Sequence, residues 1–229
     1  PPRSTPFPTR RSSDLFVIPI CGVNLGSFGF MMELPKNGWR EAIPALIDGR
    51  FRIETRMMIH VDVIRPSGLT VSRDVLNDAV IARGMDVRPV RTVVRVNGNF
   101  LTEYVSDGLI ASTATGSTAY AMAVGGPIIE PEMRTILLIP IAPHLSLNHG
   151  LILQPHDVIE CTCRSRDVTV LSLDGGPSIQ VAEEDKIRIT ASDDSAYFVR
   201  ISSDGFFYRN FIQYMQRNPS AVQSRTPPA

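Results

Sequence analysis

A chain of 229 residues can hold one large domain or two small ones, and 43% hydrophobic residues supply ample material for a core. The 23 basic residues balance the 23 acidic ones, which argues against nucleic-acid binding through bulk charge. No apolar run approaches the roughly 20 residues that span a bilayer, and the N-terminus lacks the apolar segment of a secretory leader. The sequence therefore predicts a soluble, cytoplasmic protein with neither a nucleic-acid nor a membrane partner.

The first 15 residues, PPRSTPFPTRRSSDL, are rich in Pro, Ser and Arg and show no periodicity. Two interpretations are open: a translated sequencing adapter fused to the chain, which the abrupt change at FVIPICGV favours, or a natural disordered tail. On either interpretation, residues 1–15 are excluded from the predicted fold.

Two elements are predicted over residues 16–50. Phe16 to Val23 is a strand candidate interrupted by Pro19, and a glycine-containing turn follows at Asn24 to Gly29. The apolar spacing then predicts a helix from Trp39 to Ile47.

From Phe51 onward the hydrophobic period shifts towards two, as in half-buried strands. Turn residues, including Asn-Gly, Pro-His, Asp-Gly-Gly and Asp193-Asp194, separate the candidates. This spacing predicts an all-β sandwich or barrel-like domain over residues 51–205. The tail from Phe206 to Met215 has a helical pattern. The predicted strands are Ile59–Ile64, Thr92–Val96, Phe100–Val105, Thr135–Ile141, Asp157–Cys163, Val168–Leu173, Lys186–Thr190 and Ala196–Ile201.

The cysteines and histidines indicate no metal site. Cys161 and Cys163 are two apart on a predicted strand, so they share a face and cannot bridge comfortably. We expect reduced thiols, as in cytosolic proteins. The four histidines show no metal-ligand spacing, and no protein-bound transition metal is predicted.

A hydroxyl-rich segment, DGLIASTATGSTAYAMAVGGP, runs from Asp107 to Pro127. An apolar strand leads into a turn around Gly116, and the turn opens a predicted helix whose first amides are unpaired. Such amides, with hydroxyls beside them, suit the polar or anionic edge of a nucleotide. The alternative is that Thr115 or Ser117 merely caps the helix, although one cap needs only one hydroxyl. The hydroxyls are those of Ser112, Thr113, Thr115, Ser117 and Thr118.

A second polar motif, VLNDAVIARG, places Asn77 and Asp78 inside an apolar run from Val75 to Ile81. Asn-Asp is usually a turn signal, but the apolar neighbours make a solvated turn less favourable. An amide and a carboxylate against an apolar wall can bind a purine edge or ribose hydroxyls.

These two motifs, together with GVNLGSFGF from Gly22 to Phe30, resemble the NAD kinase family in sequence, order and spacing. LSLDGG, from Leu171 to Gly176, is similar to the family's Val-Asp-Gly-Gln turn, with Gly176 where Gln is usual. The resemblance covers roughly residues 17–205. It implies an α+β fold of the NAD kinase and diacylglycerol kinase type. Residues 16–50 would be the remnant of an N-terminal α/β domain, residues 51–205 an all-β sandwich-like NAD-binding domain, and residues 206–229 a tail packing back on the N-terminal part.

The resemblance implies transfer of the γ-phosphoryl group of ATP to the adenosine-ribose 2′-hydroxyl of NAD, giving NADP, with a divalent cation such as Mg²⁺. It further implies a homodimer or homotetramer. Asn77 and Asp78 would hydrogen-bond the adenosine part of NAD.

The remaining implied site residues follow the same motifs. Thr115, Thr118 and Ala119 would line the adenine, and Tyr120 would lie beside the ribose and phosphate. Asp107 would approach the nicotinamide half, often from a neighbouring subunit in the family, or would form only an Asp-Gly turn.

The family's Gly-Gly-Asp-Gly motif, which cradles phosphate and supplies the catalytic Asp, does not occur in this sequence. No catalytic residue is therefore assigned, and we hypothesise that the gene encodes an NAD kinase of which this chain is an N-terminally truncated, inactive piece. The alternatives are a non-catalytic NAD(P)-binding or oligomerisation module and a lipid kinase of the diacylglycerol type. TGSTAY and GVNLG argue against the lipid kinase.

Overall fold

The computed structural model describes residues 18–25, 31–85, 88–144, 147–165, 168–201 and 207. The predicted tail at 1–15, most of the predicted turn at 24–29 and most of the predicted tail at 206–229 lie outside these residues. Within them strands dominate. Helices are short: α1 (Trp39–Ile47), a 3-10 helix (Thr115–Thr118) and α2 (Tyr120–Ala123).

The strands follow in chain order. They are β1 (Val23–Asn24), β2 (Leu34–Pro35), β3 (Arg52–Arg65), β4 (Gly68–Val75), β5 (Asp78–Arg83), β6 (Val90–Val96), β7 (Asn99–Ser106), β8 (Gly108–Thr113), β9 (Ile136–Ile141), β10 (Leu151–Leu153), β11 (Ile159–Arg164), β12 (Thr169–Leu173), β13 (Ile179–Val181) and β14 (Lys186–Arg200).

Two six-stranded sheets build the larger of the chain's two units, residues 56–196. Their strand orders are β10-β9-β8-β5-β12-β13 and β4-β3-β14-β11-β6-β7. One core joins the inner faces of both sheets because alternate apolar side chains point inward. It includes Ile81, Leu109 and Leu171 from the first sheet and Ile59, Cys161 and Ile187 from the second, each 0–1% exposed. The predicted sandwich is confirmed.

The outer face of the first sheet is covered as well. Val80, Ile110 and Leu137 on this face pack against Ala121 of α2 and Ile129 of the following loop. Strands β8 and β9 are therefore buried on both faces, which explains their nearly continuous apolar sequences, GLIAST and ILLIPI. This packing fixes the 3-10 helix and α2 over the sheet.

Helix α1 has the predicted bounds, Trp39–Ile47, but two strand predictions are wrong. Residues 16 and 17 of the predicted strand from Phe16 to Val23 lie outside the described residues. Over residues 18–23, Ile20 forms one isolated bridge, and β1 begins only at Val23. The two strands predicted on either side of Asp193-Asp194 are one continuous strand, β14. Both carboxylates are exposed there, so neither requires the chain to turn.

The smaller unit, residues 15–55 and 197–229, contains a buried ion-pair cluster. Arg200 Nε donates to Glu54 Oε2 at 2.8 Å, and Arg200 Nη1 donates to Glu33 Oε2 at 3.2 Å. The backbone N–H of Ile201 donates to Glu33 Oε1 at 2.9 Å. These contacts join three segments that lie far apart in the sequence.

Candidate functional site

Asn77 lies in a bend between β4 and β5, and Asp78 is the first residue of β5. Asp78 is only 6% exposed and Asn77 is half-buried, because Leu76 and Ala79 on either side are themselves buried. The Asn-Asp pair thus lies at a bend in which Asp78 is buried and Asn77 is partly accessible. Among the described residues, no group hydrogen-bonds the side-chain amide of Asn77.

The hydroxyl-rich turn packs directly on this bend. The carbonyl oxygen of Asn77 accepts from Thr113 N at 2.9 Å and from Ser112 Oγ at 3.1 Å. A Cβ atom on Gly116 would lie 2.1 Å from the same carbonyl oxygen. Only glycine allows the backbone of the turn to approach the bend this closely.

Most hydroxyls of the turn bond the chain itself. Thr113 Oγ1 donates to Leu76 O at 2.6 Å, and Ser117 Oγ donates to Ala114 O at 2.7 Å. Ser117 Oγ also accepts from Ile129 N at 3.0 Å. These side chains are 0% exposed, so they build the scaffold under the site.

The prediction of a helix with unpaired first amides is wrong for four amides, those of Gly116, Ser117, Ala119 and Tyr120. Gly116 N donates to Thr113 Oγ1, and Ser117 N and Ala119 N close 3-10-type bonds to carbonyls three residues earlier. Tyr120 N donates to the carboxylate of Asp78. Nor does Thr115 or Ser117 cap a helix, since the caps are Ala114 and Ala119 without side-chain bonds.

An open cleft of about 360 Å³ lies where the bend, the turn and the end of β12 meet. Four of the seven predicted binding residues line it: Asn77, Asp78, Ala119 and Tyr120. The other lining residues are Val80, Ser172, Asp174 and Gly175. Tyr120 is 43% exposed, which leaves part of its ring accessible from the cleft.

The other three predicted residues are absent from the cleft lining. Thr115 is buried and accepts from Arg56 Nη1 at 3.1 Å, while Thr118 Oγ1 donates to Thr115 O at 3.2 Å. Asp107 directly precedes β8, whose other end carries Ser112 opposite Asp78. Five residues of strand span about 17 Å, so Asp107 lies far from the cleft of its own chain. Its Oδ1 lies 3.3 Å from Arg83 Nε.

Asp174 is a cleft residue that sequence reasoning did not place among the candidates. Its carboxylate accepts hydrogen bonds from the backbone N–H groups of Leu76, Asn77 and Asp78, at 2.9, 2.7 and 3.2 Å. The signal that could have found it is the LSLDGG segment, whose Asp matches the Asp of the family's late turn.

The electrostatics of the cleft centre on Asp78. Burial raises the pKa of this carboxyl to about 6, and the nearby negative charge of Asp174 adds to the increase. The hydrogen bond from Tyr120 N opposes both effects, because it favours the charged form. At neutral pH the cleft therefore presents a largely ionised carboxylate beside the amide of Asn77.

Among the described residues, no group of three or more His, Cys, Asp and Glu side chains could hold a metal ion, and no helix is long and apolar enough to cross a membrane. Cys161 and Cys163 are buried free thiols, which confirms the prediction that they do not form a disulfide. Burial raises the pKa of Cys163 to about 11, so this thiol stays protonated.

Comparison with known proteins identifies the family. Residues 76–201, just over half of the chain, match the model of the ATP-NAD kinase C-terminal domain. The chain belongs to the NAD kinase family. The NAD kinase of Desulforamulus reducens is 40% identical over 190 residues, which cover 82% of this chain and 66% of that protein. An NAD kinase of Dehalococcoides mccartyi is 34% identical over 210 residues, which cover 91% of this chain and 74% of that protein.

A solved NAD kinase relative shares the fold. Yeast NADH kinase, in a crystal structure with NADH, superposes with a TM-score of 0.81 at 26% sequence identity. The match covers 89% of this chain and 60% of the yeast chain. This chain thus spans about two thirds of the length of the NAD kinases it matches.

Proposed function

We propose that the cleft beside Asn77 and Asp78 binds the adenosine part of NAD, in an enzyme that phosphorylates its 2′-hydroxyl to give NADP. The observation that carries this proposal is the convergence of Asn77, Asp78, Ala119 and Tyr120 on one cleft in a chain of the NAD kinase family. That NADH is bound in the yeast relative supports the same ligand class. Neither the lipid kinase nor the non-catalytic module is favoured by any comparison.

The cleft residues offer complementary chemistry for adenosine. The amide of Asn77 is both donor and acceptor, and the ionised carboxylate of Asp78 accepts hydrogen bonds from hydroxyl or amino groups. The partly exposed ring of Tyr120 provides an apolar surface for a base or ribose. Thr115 and Thr118 would support this wall from beneath, through their contacts to Arg56 and to each other.

The family description includes ATP in its name, and we propose ATP as the phosphoryl donor for this protein. Phosphoryl transfer requires neutralisation of phosphate charge, which Mg²⁺ supplies when bound. Mg²⁺ is commonly held by one or two carboxylates together with the phosphates themselves. In the described residues, no group of three or more His, Cys, Asp and Glu side chains could hold a metal ion. We therefore propose that Mg²⁺ would be held mainly by the phosphates of ATP.

We further propose a cytoplasmic homodimer or homotetramer. Asp107 lies too far from its own cleft to contact NAD there, so it would serve the nicotinamide half in a neighbouring subunit. The division predicted from sequence, with an α/β remnant over 16–50 and an NAD-binding domain over 51–205, is proposed as well. The family match to residues 76–201 supports it.

Isothermal titration calorimetry with NAD tests the proposed function directly. We expect the wild-type chain to bind NAD, and Asn77→Ala to weaken binding about tenfold through loss of hydrogen bonds. Asn99→Ala is the matched control, because Asn99 is an exposed Asn on β7 of the other sheet. No binding by the wild type, or equal effects of the two substitutions, would contradict the proposal. A rise in the melting temperature with diacylglycerol, and none with NAD, would favour the lipid kinase.

A further inference from the structure

The carboxylate of Asp174 is tied to the bend that carries Asn77 and Asp78. Its Oδ2 accepts from Leu76 N, and its Oδ1 accepts from both Asn77 N and Asp78 N. In return, the backbone N–H of Asp174 donates to Asp78 O at 3.0 Å. Bonds from amides to an ionised carboxylate are stronger than those to a neutral acceptor. Three consecutive amides thus turn towards one negative charge.

The backbone at Asp174 is in an unfavourable conformation. Its φ is +49°, and that of Gly175 is +65°. The left-handed region is unfavourable for a non-glycine residue, although Asp and Asn tolerate it better than most. Such a conformation persists where the surrounding contacts hold it, and it is frequent at binding sites. Here it aims the carboxylate at the bend.

We propose that Asp174 is a positioning residue for NAD, holding the bend so that Asn77 and Asp78 face the cleft. It acts through these two residues, because both of its oxygens accept hydrogen bonds from the backbone amides of the bend. This inference rests on the proposed function, because it assigns a role within the same site. Direct contact with NAD is the competing role, since Asp174 also lines the cleft.

A double-mutant cycle separates the two roles. We expect Asp174→Asn and Asn77→Ala each to raise the Kd for NAD about tenfold, as expected for loss of a charged or paired hydrogen bond. Because Asp174 would act through Asn77 as well as Asp78, the two losses overlap, and we expect the double variant to weaken NAD binding by well under the product of the two single effects. Independent contacts would multiply to about 100-fold instead, and that result would overturn the proposal.

The pH dependence of NAD binding is a second readout, one that a merely structural role would not change. In the described residues, the charged side chains lining the cleft are Asp78 and Asp174, and Tyr120 contributes its backbone N–H. Removing the charge of Asp174 lowers the pKa of Asp78. In wild type we expect NAD binding to weaken below about pH 6, and in Asp174→Asn at lower pH. An unmoved profile would overturn the proposal.

Asp185→Asn is the matched control. Asp185 is also buried, and its Oδ2 accepts a backbone amide, that of Ala182, at 2.9 Å. It follows β13, whose Val181 pairs with Thr169 at the end of β12 remote from Asp174. We expect Asp185→Asn to lower the melting temperature and leave the Kd for NAD unchanged.

The outcomes remain distinguishable from failure of the proposed function. A wild-type chain that does not bind NAD overturns the proposed function and this inference with it. NAD binding that is equal in wild type and Asp174→Asn overturns this inference alone. If Asp174→Asn does not fold, Asp174→Gly enters the same cycle, because glycine keeps the positive φ without strain and removes the carboxylate.

Discussion

Asp78 is buried beside Asp174, and this placement opposes folding at neutral pH. Its pKa rises from 3.8 to about 6 in the folded protein. Below about pH 3.8 the carboxyl is protonated in both folded and unfolded chains, and the fold loses no stability. As the pH rises from 3.8 to about 6, ionisation of Asp78 increasingly lowers the free energy of unfolding. Above about pH 6 the full loss is about 3 kcal/mol.

Replacing Asp78 by Asn removes that charge while keeping the shape. We expect Asp78→Asn to raise the free energy of unfolding by about 1–3 kcal/mol at pH 7.5 and by about 1 kcal/mol or less at pH 4.5. Urea unfolding at the two pH values measures this change in the free energy of unfolding, and Asp193→Asn, at an exposed position, is the control. Destabilisation at pH 7.5, or a gain independent of pH, would contradict the electrostatic account. NAD binding should weaken, as stabilising changes at binding sites often reduce function.

The residues of the cleft were only partly predictable from the sequence. Asn77, Asp78, Ala119 and Tyr120 lie in two contiguous motifs, so local pattern was enough to find them. Asp174 bonds to an amide 98 residues away, at Leu76, and local pattern does not give such pairing. The buried scaffold role of Ser117 was missed for the same reason, because its second partner, Ile129, lies outside the turn.

At the scale of elements, the hydroxyl-rich turn and the bend depend on Gly116. We expect Gly116→Ala to lower the free energy of unfolding by about 3 kcal/mol, because its Cβ would collide with the backbone of Asn77. Gly98→Ala is the control, since no atom lies within 4 Å of its Cβ position and only its positive φ, +77°, costs about 1 kcal/mol. Urea unfolding compares the two variants. Equal losses in the free energy of unfolding would show that the close approach of Gly116 to Asn77 is unimportant.

Element boundaries followed the sequence in α1, β9 and β12 and departed from it in β14. The bounds of β12 come within one residue of the prediction, because one face is apolar and the other is half-exposed. The continuous strand β14 was divided in the prediction, since exposed aspartates are equally compatible with a turn and with a strand. The 3-10 helix was predicted as a helix start because the two share their first turn.

At the scale of the whole molecule, strand order could not be read from the sequence. The sheet order places β8 between β5 and β9, and β14 between β3 and β11. Hydrophobic period predicts strands and a sandwich, but pairing is decided by packing between segments distant in the chain. The Arg200 cluster is a second long-range contact that no local motif indicates.

Breaking this cluster tests its contribution. Arg200→Met removes the guanidinium that the buried carboxylates of Glu33 and Glu54 share, although Arg52 still pairs with Glu54, and we expect the free energy of unfolding to fall by about 3–5 kcal/mol. Arg50→Met removes an exposed ion pair with Asp48 and should cost under about 1 kcal/mol. Urea unfolding at pH 7.5 measures both. Equal losses would show that the buried cluster contributes no more than a surface pair.

The most direct test of the central claim is a crystal structure of this chain with NAD. We predict that the adenosine part lies in the cleft, with hydrogen bonds from Asn77 and Asp78 and the ring of Tyr120 alongside. NAD bound at another surface, or a cleft without NAD in crystals grown at saturating NAD, would contradict the proposed site.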